Sequence, residues 1–118
     1  MNALSRVRIV LVGTTHPGNI GAVARAMYTM ALTRLYLVRP KFFPHEEASA
    51  RAAGADALLD DAVVCDTLAQ AVDDCTLVIG ASVRERSIEL PPLDPPACAE
   101  HALAETTRGE VALVFGPE

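Results

Sequence analysis

Val7-Arg-Ile-Val-Leu-Val-Gly13 is a run of β-branched and aliphatic residues that stops on a glycine and shows no alternation of apolar with polar positions. Such a run predicts a strand covered on both faces, as in the interior of a parallel sheet. Shorter runs of the same character recur at residues 35–38, 62–65, 77–80 and 111–115. Between them lie stretches that predict helices over 20–31, 46–53, 68–73 and 97–105. Strand alternating with helix in this way defines an α/β domain: a mostly parallel five-stranded sheet with helices on both faces and right-handed crossovers.

The first predicted helix carries Ile20, Val23, Met27 and then Met30 or Ala31 at spacings of three and four, which makes one apolar stripe. Arg25 falls off that stripe. Residues 91–96 hold four prolines, which fix φ and remove backbone donors, so an extended loop is expected before the last helix. No internal repeat, low-complexity tail or linker is evident, and the whole of residues 1–118 reads as part of one domain.

A chain of 118 residues, 51% hydrophobic, is long enough to bury a core. Cys65, Cys75 and Cys98 are odd in number and form no C-x-x-C pair, so neither a disulfide framework nor a zinc site is expected, and a cytoplasmic setting fits. The first apolar run is far too short to span a bilayer, so no membrane partner is expected. The net charge of -5 conceals an asymmetry. Residues 1–51 hold seven basic against two acidic residues, and residues 52–118 hold three basic against thirteen acidic. Nine of the ten basic residues are arginine, the side chain suited to bidentate capture of phosphate.

In an open α/β sheet, ligands gather beyond the carboxyl ends of the strands. The loops after the first, fourth and fifth predicted strands are Gly13-Thr-Thr-His-Pro-Gly-Asn-Ile-Gly21, Gly80-Ala-Ser-Val-Arg-Glu-Arg86 and Gly116-Pro-Glu118, all rich in glycine and small polar residues. Glycines at 13, 18 and 21 with no lysine match neither a Walker loop nor a dinucleotide fingerprint. Asn19 is expected to cap the helix beginning near Ile20, leaving its positive end to an anion. Gly21 and Arg25 are four apart, so a glycine gap admits a neighbouring backbone beside a guanidinium.

The run His16-Pro-Gly-Asn-Ile-Gly-Ala-Val-Ala-Arg25-Ala-Met resembles the first motif of the SpoU (SPOUT) class of RNA 2′-O-methyltransferases, with Asn19, Gly21 and Arg25 at the motif's spacing. Leu113-Val-Phe-Gly-Pro-Glu118 resembles the start of the second motif. Ala24–Met27, Ala52–Ala55, the Gly80-Ala-Ser82 turn and Leu93–Pro95 are similar to the tRNA-modifying TrmJ type within that class. The resemblance implies a trefoil-knotted α/β fold and a homodimer. It also implies S-adenosyl-L-methionine as methyl donor and a tRNA substrate methylated on a ribose 2′-hydroxyl of the anticodon loop, at position 32. It further implies Arg25 as catalytic residue with Asn19 as its site partner, and donor contacts from Ala81, Ser82, Val83 and Gly116. Glu118 is expected to accept a hydrogen bond there. The third motif of the class, which completes both knot and donor pocket, has no counterpart up to residue 118. A domain truncated before the knot closes, with little activity of its own, is therefore expected.

Methyl transfer from a sulfonium to an oxygen needs no metal, and none is expected. A guanidinium is a poor base. Arg25 is better read as a fixed cation that favours the developing alkoxide and grips a phosphate, by analogy with an oxyanion donor worth about 3–4 kcal/mol. Arg84, Arg86 and His16 are candidate RNA contacts. The competing reading is a non-catalytic α/β RNA- or nucleotide-binding module.

Overall fold

The structure is a computed structural model that describes residues 3–43, 46–52, 54–81 and 104–116. Among these, five strands form one sheet in the order β3-β2-β1-β5-β4, and every neighbouring pair is parallel. β1 (Val7–Val12) lies at its centre. β2 (Arg34–Val38) and β3 (Val63–Cys65) lie on one side, and β5 (Glu110–Phe115) and β4 (Cys75–Ala81) on the other. The predicted α/β class and strand positions hold, with β4 starting two residues earlier than the apolar run suggests.

Side chains on successive strand residues point to opposite faces, and the two faces carry separate cores. Ile9, Leu11, Leu35, Leu37 and Val111 pack with α1 (Pro17–Thr29), α2 (Glu46–Ala52) and α3 (Asp56–Asp60). Val10, Val38, Ala112 and Val114 pack on the other face with Ala71 of α4 (Leu68–Val72). Helices therefore cover both faces, and β1, central and buried along nearly all its length, needs the unalternating run that marks it. α1 buries Ile20, Ala24 and Met27 completely, and each large side chain so buried contributes about 1.5–3 kcal/mol.

Local chemistry sets the ends of these helices. α1 begins at Pro17, not near Ile20, because proline at the first helical position has no N–H to satisfy and a pre-set φ. His16 takes the capping position without a side-chain hydrogen bond, while Asn19 lies inside the first turn, its backbone N–H donating to the His16 carbonyl at 3.0 Å. The expected Asn19 cap is thus corrected. α1 stops at Thr29, and Ala31 sits outside it in the left-handed region at φ 62°. There the Leu32 N–H reaches back to the Met27 carbonyl at 2.9 Å, closing the helix end in a geometry glycine usually fills. Met30 and Ala31 are both exposed, so neither extends the buried stripe. α4 carries a full capping box, with the Gln70 N–H donating to the Thr67 hydroxyl and the Thr67 N–H donating to the Gln70 side chain. α3 has no counterpart in the sequence reading. Five residues, of which only Leu58 and Leu59 are buried, are too few to set up a period.

Gly21 decides how α1 meets α2. A Cβ there would overlap the Ala48 carbonyl oxygen and stand 2.9 Å from both the Ala48 carbonyl carbon and the Arg51 Cβ. The bare glycine lets the α2 backbone press directly onto α1, and the small residues Ala48 and Ala52 complete the contact.

The charge asymmetry along the chain is partly cancelled in space. Arg8, inside the run that reads as aliphatic, is only 1% exposed. Its guanidinium donates to both oxygens of Asp74, at 2.8 and 3.0 Å, to Glu110 at 3.3 Å and to the Ala71 carbonyl at 2.8 Å, and lies 4.5 Å from the centre of the Tyr36 ring. Arg34 pairs with the same Glu110 and donates to the Tyr36 hydroxyl at 3.1 Å. Burial works against the charge on Arg8, but the hydrogen bond to Asp74 and the surrounding groups outweigh it and hold the guanidinium more firmly protonated than usual. Two arginines of the basic half are therefore committed to acidic residues of the other half, at the amino ends of the strands and away from the ligand rim.

Candidate active site

The strand order reverses beside β1, and the crevice outside the carboxyl ends of β1 and β5 is the expected ligand position for such a sheet. Register places Leu11, Phe115 and Ala81 side by side on β1, β5 and β4, so the chain leaves these three strands at the same edge. Gly13, at φ 64°, turns the chain there while its N–H donates to the Val38 carbonyl at 2.8 Å. Gly116, at φ 104°, lies so close to β1 that a Cβ would stand 2.5 Å from the Val12 carbonyl oxygen. Any larger residue there would force the β1 and β5 ends apart.

Between these ends and α1 lies a cavity of about 440 Å³. Its walls are mainly apolar, from Leu11, Val23, Met27, Met30 and Phe115, and its polar groups come from Thr14, Asn19 and the Gly116 backbone. Thr14 is buried, and its carbonyl accepts from the Lys41 N–H at 3.0 Å. An apolar chamber with a few convergent polar groups is the usual form of a small-molecule site. The exposure of Met30 and Phe115, about half and two fifths, has its explanation here, since both line this opening.

Arg25 does not line that cavity. It stands on the adjoining face of α1, where with Thr29 and Arg51 of α2 it borders a shallower groove of about 340 Å³. Ala22 and Ala26 belong to both hollows, so a low ridge of two methyl groups divides the arginine pair from the cavity.

The site residues expected from the sequence are thus distributed. Asn19 and Gly116 share the cavity, and Arg25 lies one helix row away. Ala81 ends β4 in line with Phe115, and His16 is exposed at the head of α1. Ser82, Val83, Arg84, Arg86 and Glu118 lie outside the described residues, as do the proline-rich segment and most of the predicted last helix. Arg51 was not anticipated, since nothing in its sequence neighbourhood distinguishes it; its position depends on where α2 crosses α1. Thr14, inside the quoted first loop, was legible as a small polar residue after a strand. Among the described residues no group of three metal-ligating side chains is found, and no helix is long and apolar enough to cross a membrane.

A doubly covered parallel sheet with its cavity at the switch point, preceded by the Asn19–Gly21–Arg25 motif, is the arrangement expected of the SpoU class. The family model of the SpoU rRNA Methylase family matches residues 6–118, and the chain belongs to that family. Within it, the chain is 54% identical over 116 residues to the tRNA (cytidine/uridine/adenosine-2'-O-)-methyltransferase TrmJ of Pseudomonas aeruginosa (strain UCBPP-PA14), covering 98% of this chain and 45% of that relative. It is 49% identical over 115 residues to the tRNA (cytidine/uridine-2'-O-)-methyltransferase TrmJ of Cronobacter sakazakii (strain ATCC BAA-894), covering 98% and 47%. Among solved structures, a probable methylase family protein from Haemophilus influenzae Rd KW20 superimposes with a TM-score of 0.90 at 47% identity, covering all of this chain and 48% of that one. TrmJ from Z. mobilis ZM4 superimposes with a TM-score of 0.86 at 38% identity, covering 94% and 49%. The chain spans about half the length of the curated relatives it matches. The resemblance to the SpoU class and to its TrmJ type is borne out.

Proposed function

We propose that this chain provides the RNA-facing part of a tRNA 2′-O-methyltransferase, which methylates a ribose hydroxyl of the anticodon loop, at position 32, with S-adenosyl-L-methionine as donor. The observation that carries this reading is the meeting, at one sheet edge, of the turns after β1 and β5 with the Arg25 helix, across a ridge only two alanines high. The names of the TrmJ relatives support tRNA as the substrate. The same reading carries a homodimer acting in the cytoplasm.

The residues present suit the donor. The adjacent backbones of Ala81 and Gly116 would hold it, with Ser82 and Val83 continuing the first of these segments and Glu118 the second. When bound, it supplies an electrophilic methyl group on sulfur. The chain's own task is then to position the ribose hydroxyl and ease the loss of its proton. Arg25 is exposed and, among the described residues, has no acidic partner, so its charge is available to an adjacent RNA phosphate and to the oxygen as it becomes anionic. Asn19, which lines the cavity on the same helix, is the residue that in this reading orients the sugar. The proton passes to a phosphate oxygen or to water rather than to the guanidinium. In this reading Arg84 and Arg86, which follow β4 in the sequence, and His16 at the head of α1 are further RNA contacts.

Two measurements on the intact protein test the reading: calorimetric titration with S-adenosylhomocysteine, and incorporation of labelled methyl groups into tRNA. Binding together with alkali-resistant ribose methylation is expected. Tight tRNA binding with no ligand heat and no methyl incorporation would favour a non-catalytic RNA-binding module instead.

A further inference from the structure

We infer that Arg51 is a second phosphate ligand for the RNA substrate, gripping the backbone together with Arg25 in the groove between α1 and α2. The inference rests on the RNA-directed reading above and assigns a substrate contact to a residue outside the family motif.

Three observations carry it. The first is placement. The notch at Gly21 brings α2 down until the Arg51 Cβ stands 2.9 Å from where a Gly21 Cβ would be, one helical turn before Arg25 on the same face of α1. The two arginines therefore border one groove from its two sides, and the base of Arg51 is held by backbone packing.

The second is charge. Arg8 and Arg34 are matched to Asp74 and Glu110, whereas no ion pair of Arg25 or Arg51 is found among the described side chains, which do not include that of Glu47. Two guanidinium groups bordering one groove repel each other, and a bridging anion relieves this. A phosphodiester suits two planar forks, each able to donate two parallel hydrogen bonds.

The third is continuity with the reaction site. Ala22 and Ala26 floor this groove and also wall the cavity that holds Asn19 and Gly116. An RNA strand lying over that ridge would put a phosphate between the arginines while the neighbouring ribose enters the cavity. The remaining polar side chain of the groove, Thr29, already donates its hydroxyl proton to the Ala26 carbonyl at 2.7 Å, which leaves the arginines as the groove's anion donors.

The test uses the intact protein and a fluorescently labelled tRNA transcript, with affinity measured by anisotropy over a series of salt concentrations. Arg51→Ala should weaken tRNA binding several-fold and reduce the slope of log affinity against log salt by about 0.7–0.9, the value of one lost phosphate contact. Arg51→Lys should restore the slope, and S-adenosylhomocysteine affinity should be the same in all three proteins. An unchanged slope and affinity in Arg51→Ala would overturn the inference, even if the wild-type protein methylates tRNA. So would polyglutamate competing with tRNA as well as an unlabelled transcript does, because the groove would then be an acidic-polypeptide site. If the Arg51-dependent slope is found in a protein that transfers no methyl group, the inference stands and the methyltransferase reading falls.

Discussion

Replacing Gly21 by alanine sets two effects of opposite sign against each other. Gly21 lies inside α1, where alanine is the better helix former by about 0.5–1 kcal/mol. Against this, the new Cβ would overlap the Ala48 carbonyl oxygen and stand 2.9 Å from the Ala48 carbon and the Arg51 Cβ. The obstacle is backbone and cannot rotate away, so α2 must retreat as a unit. Overpacking a closed contact costs about 1–3 kcal/mol, and an immovable neighbour argues for the upper part of that range. The net result is a loss of about 1–2 kcal/mol. Urea titration followed by far-ultraviolet circular dichroism should show the midpoint falling by about 0.5–1 M for a slope near 2 kcal/mol/M, with the slope itself unchanged. Because α2 carries Arg51, the salt dependence of tRNA binding should weaken in the same variant. A Gly21→Ala protein that is more stable than wild type would show that propensity acts alone and that α2 does not press on α1 there.

Three further outcomes are expected. Arg25→Ala should abolish methyl incorporation into tRNA while leaving the unfolding free energy within about 0.5 kcal/mol of wild type, since the side chain is exposed; wild-type turnover would remove Arg25 from the mechanism. Ala31→Gly should raise stability by about 0.5–1 kcal/mol, because φ 62° strains alanine and not glycine, and a loss of stability would contradict that reading of the α1 end. The hydrogen bond from Arg8 holds the Asp74 carboxyl below its ordinary pKa, so its contribution is present above about pH 4 and is lost as pH falls through the folded value. Asp74 is 60% exposed, so Asp74→Asn should cost under about 1 kcal/mol at pH 7, with the gap to wild type closing in more acidic solution. A gap that stays constant from pH 7 to pH 3 would refute the assignment.

Much of the fold was readable because its signals are local. Unalternating runs mark β1 and β5, since a central parallel strand is covered on both faces and has no use for polar positions. Spacings of three and four mark the buried stripe through Ile20 and Met27. The loops after β1, β4 and β5 were singled out as the ligand edge because ligands gather beyond the carboxyl ends of an open α/β sheet and these loops are rich in glycine and small polar residues. Asn19 and Gly116 do share a cavity there.

What the sequence could not yield lies wherever two distant segments touch. Arg8 reads as a basic residue near the chain start, yet it is buried against Asp74 and Glu110, which are 66 and 102 residues away. Its partners exist only once β4 and β5 have been laid beside β1. Gly21 reads as an opening for an unspecified backbone, and the crossing of α1 by α2 decides that the backbone is that of Ala48, with Arg51 brought in beside Arg25 as a consequence. Periodicity and turn chemistry act over a few residues and so specify elements; pairing of charges and division of a helix surface into cavity and groove depend on packing geometry, which appears only when the elements meet.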